Sequence, residues 1–277
     1  MRAQGYNDVL RRTRVARSVR TIVGTIAILT VFCAERSRPA PEEGPHPWPN
    51  EPAGFTVTEE TGWESDSLRG WYRIFESADK PITIATIASS LIGESKALQI
   101  DFPPGHAGGG GTELRYDIAS RDRRDEIYVG YYVQVNPQWQ GHESAINKMI
   151  YLHDGGSSQF AAMWYEMFGS GGSALDLYVV NQSGSGPGGL RENVKEITFT
   201  RGQWHKVEIY QKQGASQNGI VRVWVDGVPA IDRSDVGTRS TPVDNITISG
   251  IWGGVGDRKN QADYMRFDRI RISKPVS

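Results

Sequence analysis

Several segments of the sequence alternate polar with apolar residues, and the polar members are of types that bind sugars. They are Glu113, Arg115, Tyr128, Tyr132, Gln134, Asn147, Tyr151, His153, Asp176 and Tyr178. Aromatic rings pack on the C–H faces of pyranose rings, while guanidinium and amide groups bind hydroxyls and carboxylates. Lysine, glutamate and threonine would dominate an ordinary solvated face. If these segments are neighbouring strands, the sequence predicts a sugar-contacting surface.

The period-two alternation predicts that these residues lie on β-strands. In residues 127–135, one face carries Ile127, Val129, Tyr131, Val133 and Val135. Glycine-rich breaks separate such segments, and Asp226-Gly227 predicts a hairpin turn. At least eight strands, each with one apolar face, need a second sheet to cover them. We therefore predict an all-β fold, a two-sheet antiparallel jelly-roll sandwich, in which Ser89–Leu98 is the one candidate for a short helix.

Charge is distributed unevenly along the 277 residues. The whole chain has a net charge of −1, but residues 1–38 contain eight arginines and only two acidic residues. The remaining residues carry 23 basic and 30 acidic side chains. An acidic body excludes general nucleic-acid binding, and a polyanionic ligand would need a local basic patch. The single cysteine, Cys33, excludes an intrachain disulfide.

The N-terminal region is predicted to direct export. An arginine-rich stretch precedes the apolar run 21–33, which is short for a membrane span, so 1–34 is interpreted as a signal peptide or short anchor. Lipid attachment at Cys33 is an alternative, although bulky residues precede it. Six prolines in 35–54 predict an extended linker. The jelly-roll domain is then 55–277, and any membrane contact is expected through the N-terminal segment alone.

Motifs in the second half resemble the concanavalin A-like lectin/glucanase superfamily. They are Gly202–Tyr210 (GQWHKVEIY), Asn218–Gly227 (NGIVRVWVDG), Ile251–Gly254 (IWGG) and Phe267–Ser273 (FDRIRIS). The resemblance is closest to polysaccharide-lyase-type jelly rolls, such as alginate and glucuronan lyases, and to their laminin-G-like relatives. It implies the sandwich fold over roughly 55–275. The same scaffold carries lectins, hydrolases, lyases and adhesion modules.

The activity motifs of this superfamily are only partly present. The paired glutamates and aspartate of retaining glucanases are not found. Thr112-Glu113-Leu114-Arg115 resembles the Arg-Thr/Ser-Glu-Leu-Arg strand of alginate lyases, with Gly111 in place of the leading arginine. Tyr151-Leu152-His153 resembles their Gln-Ile-His strand but lacks the glutamine. A lyase that cleaves an acidic, uronic-acid-containing glycan by β-elimination is therefore the favoured expectation.

The resemblance implies roles for the polar face. Elimination removes the proton beside a uronic carboxylate and expels the glycosidic oxygen. Arg115 would neutralise the carboxylate, and Tyr151 or His153 would accept the proton. Tyr132 or Tyr178 would return a proton to the leaving oxygen. A hydrogen-bonded structural role is an equal alternative for His153.

Further residues are assigned to substrate binding. They are Glu113, Gln134, Asn147, Lys148, Trp164, Tyr178 and Trp252. Lys148 has the opposite parity from Tyr151, so it reaches the same face only through a bulge, and an outward solvated charge is the favoured interpretation. Trp164 and Trp252 are candidate sugar platforms, whereas Trp204 and Trp224 are assigned to the core.

Two other functions stay open: a non-catalytic carbohydrate-binding module and a laminin-G-like protein-interaction domain. No cofactor is required by the expected chemistry, and Asp101 and Asp268 are candidates for a structural Ca²⁺ site. No zinc pattern or phosphate loop is found, and no metal is assigned to the catalytic site. We expect an exported monomer whose partner is a polysaccharide and not a nucleic acid.

Overall fold

The computed structural model describes residues 47–75, 82–87, 95–155, 162–182 and 188–276. Residues 1–34, and most of the predicted linker, lie outside these ranges. Within them the chain forms fifteen strands and a 3₁₀ turn at Ser120–Asp122. The strands are β1 (Phe55–Thr61), β2 (Trp71–Phe75), β3 (Ile82–Thr86), β4 (Lys96–Phe102), β5 (Glu113–Asp117), β6 (Glu126–Val135), β7 (Ile146–His153), β8 (Ala162–Phe168), β9 (Asp176–Asn181), β10 (Gly189–Arg191), β11 (His205–Lys212), β12 (Gly219–Val225), β13 (Val228–Val236), β14 (Asn245–Ser249) and β15 (Asp263–Pro275). No helix in the described ranges has the length and apolarity needed to cross a bilayer.

The strands form two antiparallel sheets. Sheet A has the order β13-β12-β11-β6-β15-β4-β3, with β1 also paired to β15. Sheet B has the order β10-β9-β8-β7-β14-β5-β2. In the middle of each sheet, neighbouring strands are distant in sequence: β15 lies between β6 and β4 in sheet A, and β14 lies between β7 and β5 in sheet B. The predicted all-β two-sheet sandwich is confirmed.

The core lies between the sheets and follows the alternation of the sequence. Val129, Tyr131 and Val133 of β6 face inward from sheet A, and Ile150 and Leu152 of β7 face inward from sheet B, each fully buried. Burial of each such side chain contributes about 2 kcal/mol. The predicted hairpin joins β12 to β13, where Asp226 and Gly227 both have positive φ, as a two-residue hairpin turn requires.

Residues 47–54 pack on the part of the outer face of sheet A that β6, β11 and β15 form. Trp48 is 1% exposed and packs on Tyr132, with ring centroids 5.7 Å apart. A Cβ on Gly130 would come within 2.4 Å of the Trp48 ring, so glycine is needed beneath it. Asn50 donates two hydrogen bonds to the buried Glu208 carboxylate, at 3.1 and 3.0 Å. The packed body therefore extends upstream of residue 55, into the segment predicted as linker.

Two placements predicted from the sequence are wrong. Tyr132 and Gln134 lie on β6, which pairs with β11 and β15 in sheet A, so they do not share a surface with Arg115 of sheet B. Alternation fixes which face of a strand is polar, but it cannot assign the strand to a sheet. The candidate helix at Ser89–Leu98 is contradicted only in its last residues, because Lys96–Leu98 begin strand β4; residues 88–94 lie outside the described ranges.

Candidate functional site

The outer face of sheet B, meaning the outward side chains of β2, β5, β14, β7, β8, β9 and β10, gathers most of the predicted polar residues. Thr247 of β14 pairs with Arg115 of β5 on one side and with Tyr151 of β7 on the other. Tyr151 in turn pairs with Trp164 of β8. With strands about 4.8 Å apart, the Arg115 and Tyr151 backbones are roughly 10 Å apart. Arg115, Tyr151 and His153 therefore share one face.

A bulge in β7 brings Lys148 to this face. The register with β8 shifts between Lys148 and Ile150, and the next two residues, Met149 and Ile150, are both buried in the core. Lys148 therefore points outward together with Tyr151, despite the opposite parity. Its Nζ lies 3.9 Å from the centre of the Trp164 ring and 5.8 Å from that of Tyr151. The structure supplies the bulge that the sequence did not predict, and Lys148 joins the site.

Two buried carboxyl groups flank Lys148. Glu166 of β8 is 0% exposed and pairs with Lys148 in the register, and Glu113 of β5 is 8% exposed. Burial raises the pKa of each carboxyl to about 7, against the opposing charge of Lys148. Among the described residues, neither oxygen of Glu166 has a hydrogen-bond partner. Burial likewise lowers the pKa of Lys148, while both glutamates oppose this shift.

Tyr151 keeps its phenol proton at ordinary pH. Its side chain is 4% exposed, and burial raises its pKa well above the usual value. The Ser249 hydroxyl donates to the Tyr151 oxygen at 3.0 Å, which leaves the phenol proton free to point elsewhere. The Tyr151 ring also lies 5.3 Å from the Trp164 ring. A proton-accepting role for Tyr151 would need a lowered pKa, and the environment shifts it in the opposite direction.

His153 is neutral and a weak base. Burial and, to a smaller extent, the positive charge of Arg115 lower its pKa to about 4, against the opposing charge of Asp244. Its ring lies 5.7 Å from that of Tyr151 in an edge-to-face arrangement. A group that holds a proton this weakly is a poor acceptor for a proton on carbon. The site therefore argues against His153 as the group that accepts the proton.

Tyr178 and Arg191 extend the site towards β10. Tyr178 of β9 pairs with Glu166 on one side and with Arg191 on the other. The Arg191 guanidinium stacks on two rings, 4.1 Å from the centre of Phe168 and 4.2 Å from that of Tyr178. Arg191 is exposed and Tyr178 is half-buried. A cation held in place by two rings is preorganised to bind an anionic group.

Two residues predicted to contact substrate are structural instead. Asn147 is fully buried, donates to the carbonyls of Ala145, Met167 and Gly169, and accepts from the Trp139 indole at 3.1 Å. The side-chain NH2 group and the oxygen of Asn147 are thus both engaged by the surrounding protein. Trp252 is 1% exposed, and its Nε1 donates to the Gln140 carbonyl at 2.8 Å. A sugar cannot stack on a ring that other side chains cover, so only Trp164 remains as a platform.

The two aspartates predicted for calcium are not neighbours. Asp101 of β4 lies opposite Tyr264 of β15, whereas Asp268 lies four residues further along β15. The Gln99 amide donates to Asp101 at 2.7 Å, and the Arg269 amide donates to Asp268 at 2.7 Å. The described residues contain no cluster of three or more histidine, cysteine, aspartate or glutamate side chains suited to a metal ion. The calcium site stays a prediction.

Glu166, Ser249, Arg191, Tyr72 and Phe75 were not predicted. The period-two alternation of Trp164, Glu166 and Phe168 along β8 indicates that Glu166 lies on the same face as Trp164, so this residue could have been predicted. Arg191 lies on a three-residue strand, which is too short to show a period. Ser249 is of a type that sequence patterns do not single out. On β2, Phe75 reaches this face only through a second bulge, between Arg73 and Phe75, whereas Tyr72 precedes the bulge and lies opposite Arg115.

An all-β sandwich with one sheet face carrying cations, phenols and a partly exposed indole is typical of carbohydrate-active jelly rolls. Comparison with protein families gives a match to a family described as polysaccharide lyase, over residues 58–265. This match covers most of the chain, and the protein belongs to the polysaccharide lyase family. No curated protein sequence matches the chain.

Solved structures share the fold at low sequence identity. An endo-β-1,4-glucuronan lyase from the fungus Trichoderma reesei is 16% identical with a TM-score of 0.56, covering 79% of this chain and 96% of that one. The PL-14 alginate lyase from Aplysia kurodai is 15% identical with a TM-score of 0.55, covering 79% and 100%. The alginate lyase Aly36B is 17% identical with a TM-score of 0.53, covering 65% and 82%. The resemblance seen in the sequence motifs is confirmed, as is the expectation of a lyase for an acidic polysaccharide.

Proposed function

We propose that the outer face of sheet B binds a uronic-acid polymer and cleaves it by β-elimination, with Lys148 as the catalytic base. The family match supports the reaction class. The similar structures are described as lyases of glucuronan and alginate, both uronic-acid polymers, and one is a complex with an alginate trisaccharide. The observation that carries the proposal is the β7 bulge, which places Lys148 at the centre of the face.

Lys148 is the strongest base that the face offers. Burial against Trp164 and Tyr151 lowers its pKa, so the free amine forms more readily than in water. His153 is the other candidate, but burial and Arg115 make its protonated form unstable. A proton taken from carbon is held better on the Lys148 amine, beside two carboxyl groups, than on the His153 imidazole.

Tyr178 is the proton donor that we assign to the leaving oxygen. It lies in the same cross-strand row as Lys148, two strands away through Glu166, and its side chain is half-buried. A sugar bound across β7, β8 and β9 would lie between the amine and the phenol. Tyr151 is nearly fully buried below Lys148 and is better placed to orient it.

Arg115 is the cation that we assign to the carboxylate of the reacting sugar. It is half-buried on the face, and its Nε donates to Asp117 at 2.7 Å, which fixes the direction of the guanidinium. Neutralising this carboxylate makes the adjacent C–H more acidic, because negative charge develops there as the proton leaves.

Three variants test the assignments on a panel of uronic-acid polymers, with formation of the unsaturated product followed by ultraviolet absorbance. Lys148→Ala is expected to lower kcat by about 10²–10⁴, the usual contribution of a general base. Lys148→Arg, which keeps the charge but cannot release a proton, is expected to be equally impaired. His153→Asn is expected to keep activity within a few fold. The base assignment is wrong if Lys148→Arg is active or if His153→Asn is as inactive as Lys148→Ala.

Export, a monomeric state and a structural calcium ion are part of the same proposal. The arginine-rich N-terminal region and the apolar run 21–33 support export. Expression of the full chain with a detectable C-terminal tag, followed by fractionation, tests export: recovery of all the protein from the cytosol would contradict it.

A further inference from the structure

An exposed aromatic pair lies at the β2 edge of sheet B. Within the described ranges, Tyr72 and Phe75 are the only aromatic side chains in the exposed class, at 42% and 54% exposure. Both belong to β2, the last strand of the sheet, which pairs with β5. An exposed phenylalanine beside an exposed tyrosine leaves apolar surface in water, which ring-shaped ligands can cover.

A bulge places both rings on the face that carries the proposed active site. Residues three apart point to opposite faces of a regular strand. In β2 the register shifts between Arg73 and Phe75, so that Tyr72 lies opposite Arg115 and Phe75 lies opposite Glu113. Paired residues on neighbouring strands project to the same side, so Tyr72 and Phe75 share the side of Arg115 and Glu113.

Asp117 holds the tyrosine and the arginine in fixed positions. The Tyr72 hydroxyl donates to one carboxylate oxygen of Asp117 at 2.6 Å, and Arg115 Nε donates to the other at 2.7 Å. These bonds restrain the Tyr72 ring on an edge strand that would otherwise leave it free to rotate. Because the Tyr72 ring is already held in place, less conformational entropy is lost when a ligand binds to it.

We propose that Tyr72 and Phe75 form an aromatic subsite that stacks on a pyranose ring of the bound polyuronate. This inference rests on the proposed function of the same face. Three strand spacings separate β2 from β7, roughly 14 Å, which is longer than one sugar ring. The ring on Tyr72 and Phe75 therefore belongs to a sugar further along the chain than the one that reacts beside Lys148. The subsite makes the enzyme favour long chains over short ones.

The test compares chain lengths in the full-length protein. Tyr72→Ala/Phe75→Ala is expected to lower kcat/KM on the polymer by about tenfold, the size expected when two aromatic contacts are lost. On the shortest oligosaccharide that the wild type cleaves, kcat/KM is expected to change by less than about twofold, because that substrate does not reach β2. Equal losses on both substrates, or no loss on either, would overturn the subsite.

Two further variants serve as controls. Tyr72→Phe keeps the ring and loses only the bond to Asp117, so it is expected to retain most of the activity on the polymer. Val57→Ala removes a side chain that is also 42% exposed but lies on β1 of sheet A, and it is expected to change neither substrate. Thermal unfolding of each variant shows that a loss of rate is not a loss of fold.

Binding is measured separately, so that the subsite and the lyase activity can fail independently. In affinity electrophoresis through gels containing alginate or glucuronan, the wild type is expected to be retarded more than the double variant. Retardation without cleavage by the wild type would refute the lyase alone, with the subsite still judged from the variant. Equal retardation of both proteins would refute the subsite, and no retardation of either, together with no cleavage by the wild type, would refute both.

Discussion

Replacing Glu166 with glutamine isolates the cost of a buried charge beneath the proposed base. Glu166 is 0% exposed, and burial raises its pKa from an ordinary 4.5 to about 7. The folded protein therefore holds this proton more tightly than the unfolded chain does. The resulting stabilisation is fully present below about pH 4.5, and it is lost as the pH rises through 7.

The magnitude follows from the two pKa values. At a pH above both pKa values, a carboxyl with a pKa of about 7 in the folded state and 4.5 in the unfolded state lowers the stability of the fold by about 3 kcal/mol. Between pH 5 and pH 8, the part of this cost that changes is about 2.5 kcal/mol. Glutamine keeps the size of the side chain and does not ionise. The free energy of unfolding of Glu166→Gln minus that of the wild type is therefore expected to be about 2.5 kcal/mol larger at pH 8 than at pH 5, so that the variant gains stability relative to the wild type as the pH rises.

Urea unfolding at pH 5 and pH 8 measures this difference directly. Glu196→Gln is the matched control, since Glu196 is exposed and its replacement should leave the pH dependence unchanged. If Glu166→Gln and the wild type lose stability in parallel between the two pH values, Glu166 is already ionised at pH 5. In that case burial does not control its charge, and the electrostatic description of the site is wrong.

Two further variants test other parts of the molecule. Trp48→Ala is expected to lower the free energy of unfolding by about 3–5 kcal/mol, because the Trp48 ring is only 1% exposed and packs on Tyr132. KM is expected to stay unchanged, since Trp48 packs on sheet A and the proposed site lies on sheet B. A loss below about 1 kcal/mol in urea unfolding would show that residues 47–54 are not part of the packed body. Arg191→Ala is expected to raise KM for the polymer by about fivefold at low ionic strength, because one exposed ion pair contributes up to about 1 kcal/mol. The increase is expected to become smaller as salt is added, since salt screens the interaction. A rise in KM that does not depend on salt would exclude a charge contact.

The fold was predictable because its signals are local and repeated. The alternation in residues 127–135 identified the inward side chains of β6, and the Asp226-Gly227 turn identified the β12–β13 hairpin. The partner of each strand was not predictable in the same way. β6 and β7 are consecutive in sequence yet lie in different sheets, so the polar residues of β6 face away from those of β7. Tyr132 and Gln134 were misplaced for this reason.

The site was predictable where a strand is regular and not where it bulges. Arg115 and Tyr151 share a face through Thr247, as period-two counting requires. Lys148 and Phe75 each follow the opposite parity, and a bulge in β7 and another in β2 return them to that face. A bulge depends on packing beneath the strand, such as the double burial of Met149 and Ile150, which the sequence of the strand does not show.

An acidic protein can bind an anionic substrate here because the cations of the site are half-buried or exposed, whereas the carboxyl groups nearest to Lys148 are buried. Arg115, Lys148 and Arg191 are the half-buried or exposed cations of β5, β7 and β10, spread across most of the width of sheet B. The acids nearest to Lys148 are buried, and their pKa of about 7 means that each is partly protonated at neutral pH. An approaching uronate raises these pKa values further, since like charges disfavour ionisation. The site can therefore lose negative charge as the polymer binds, while the surface elsewhere stays acidic.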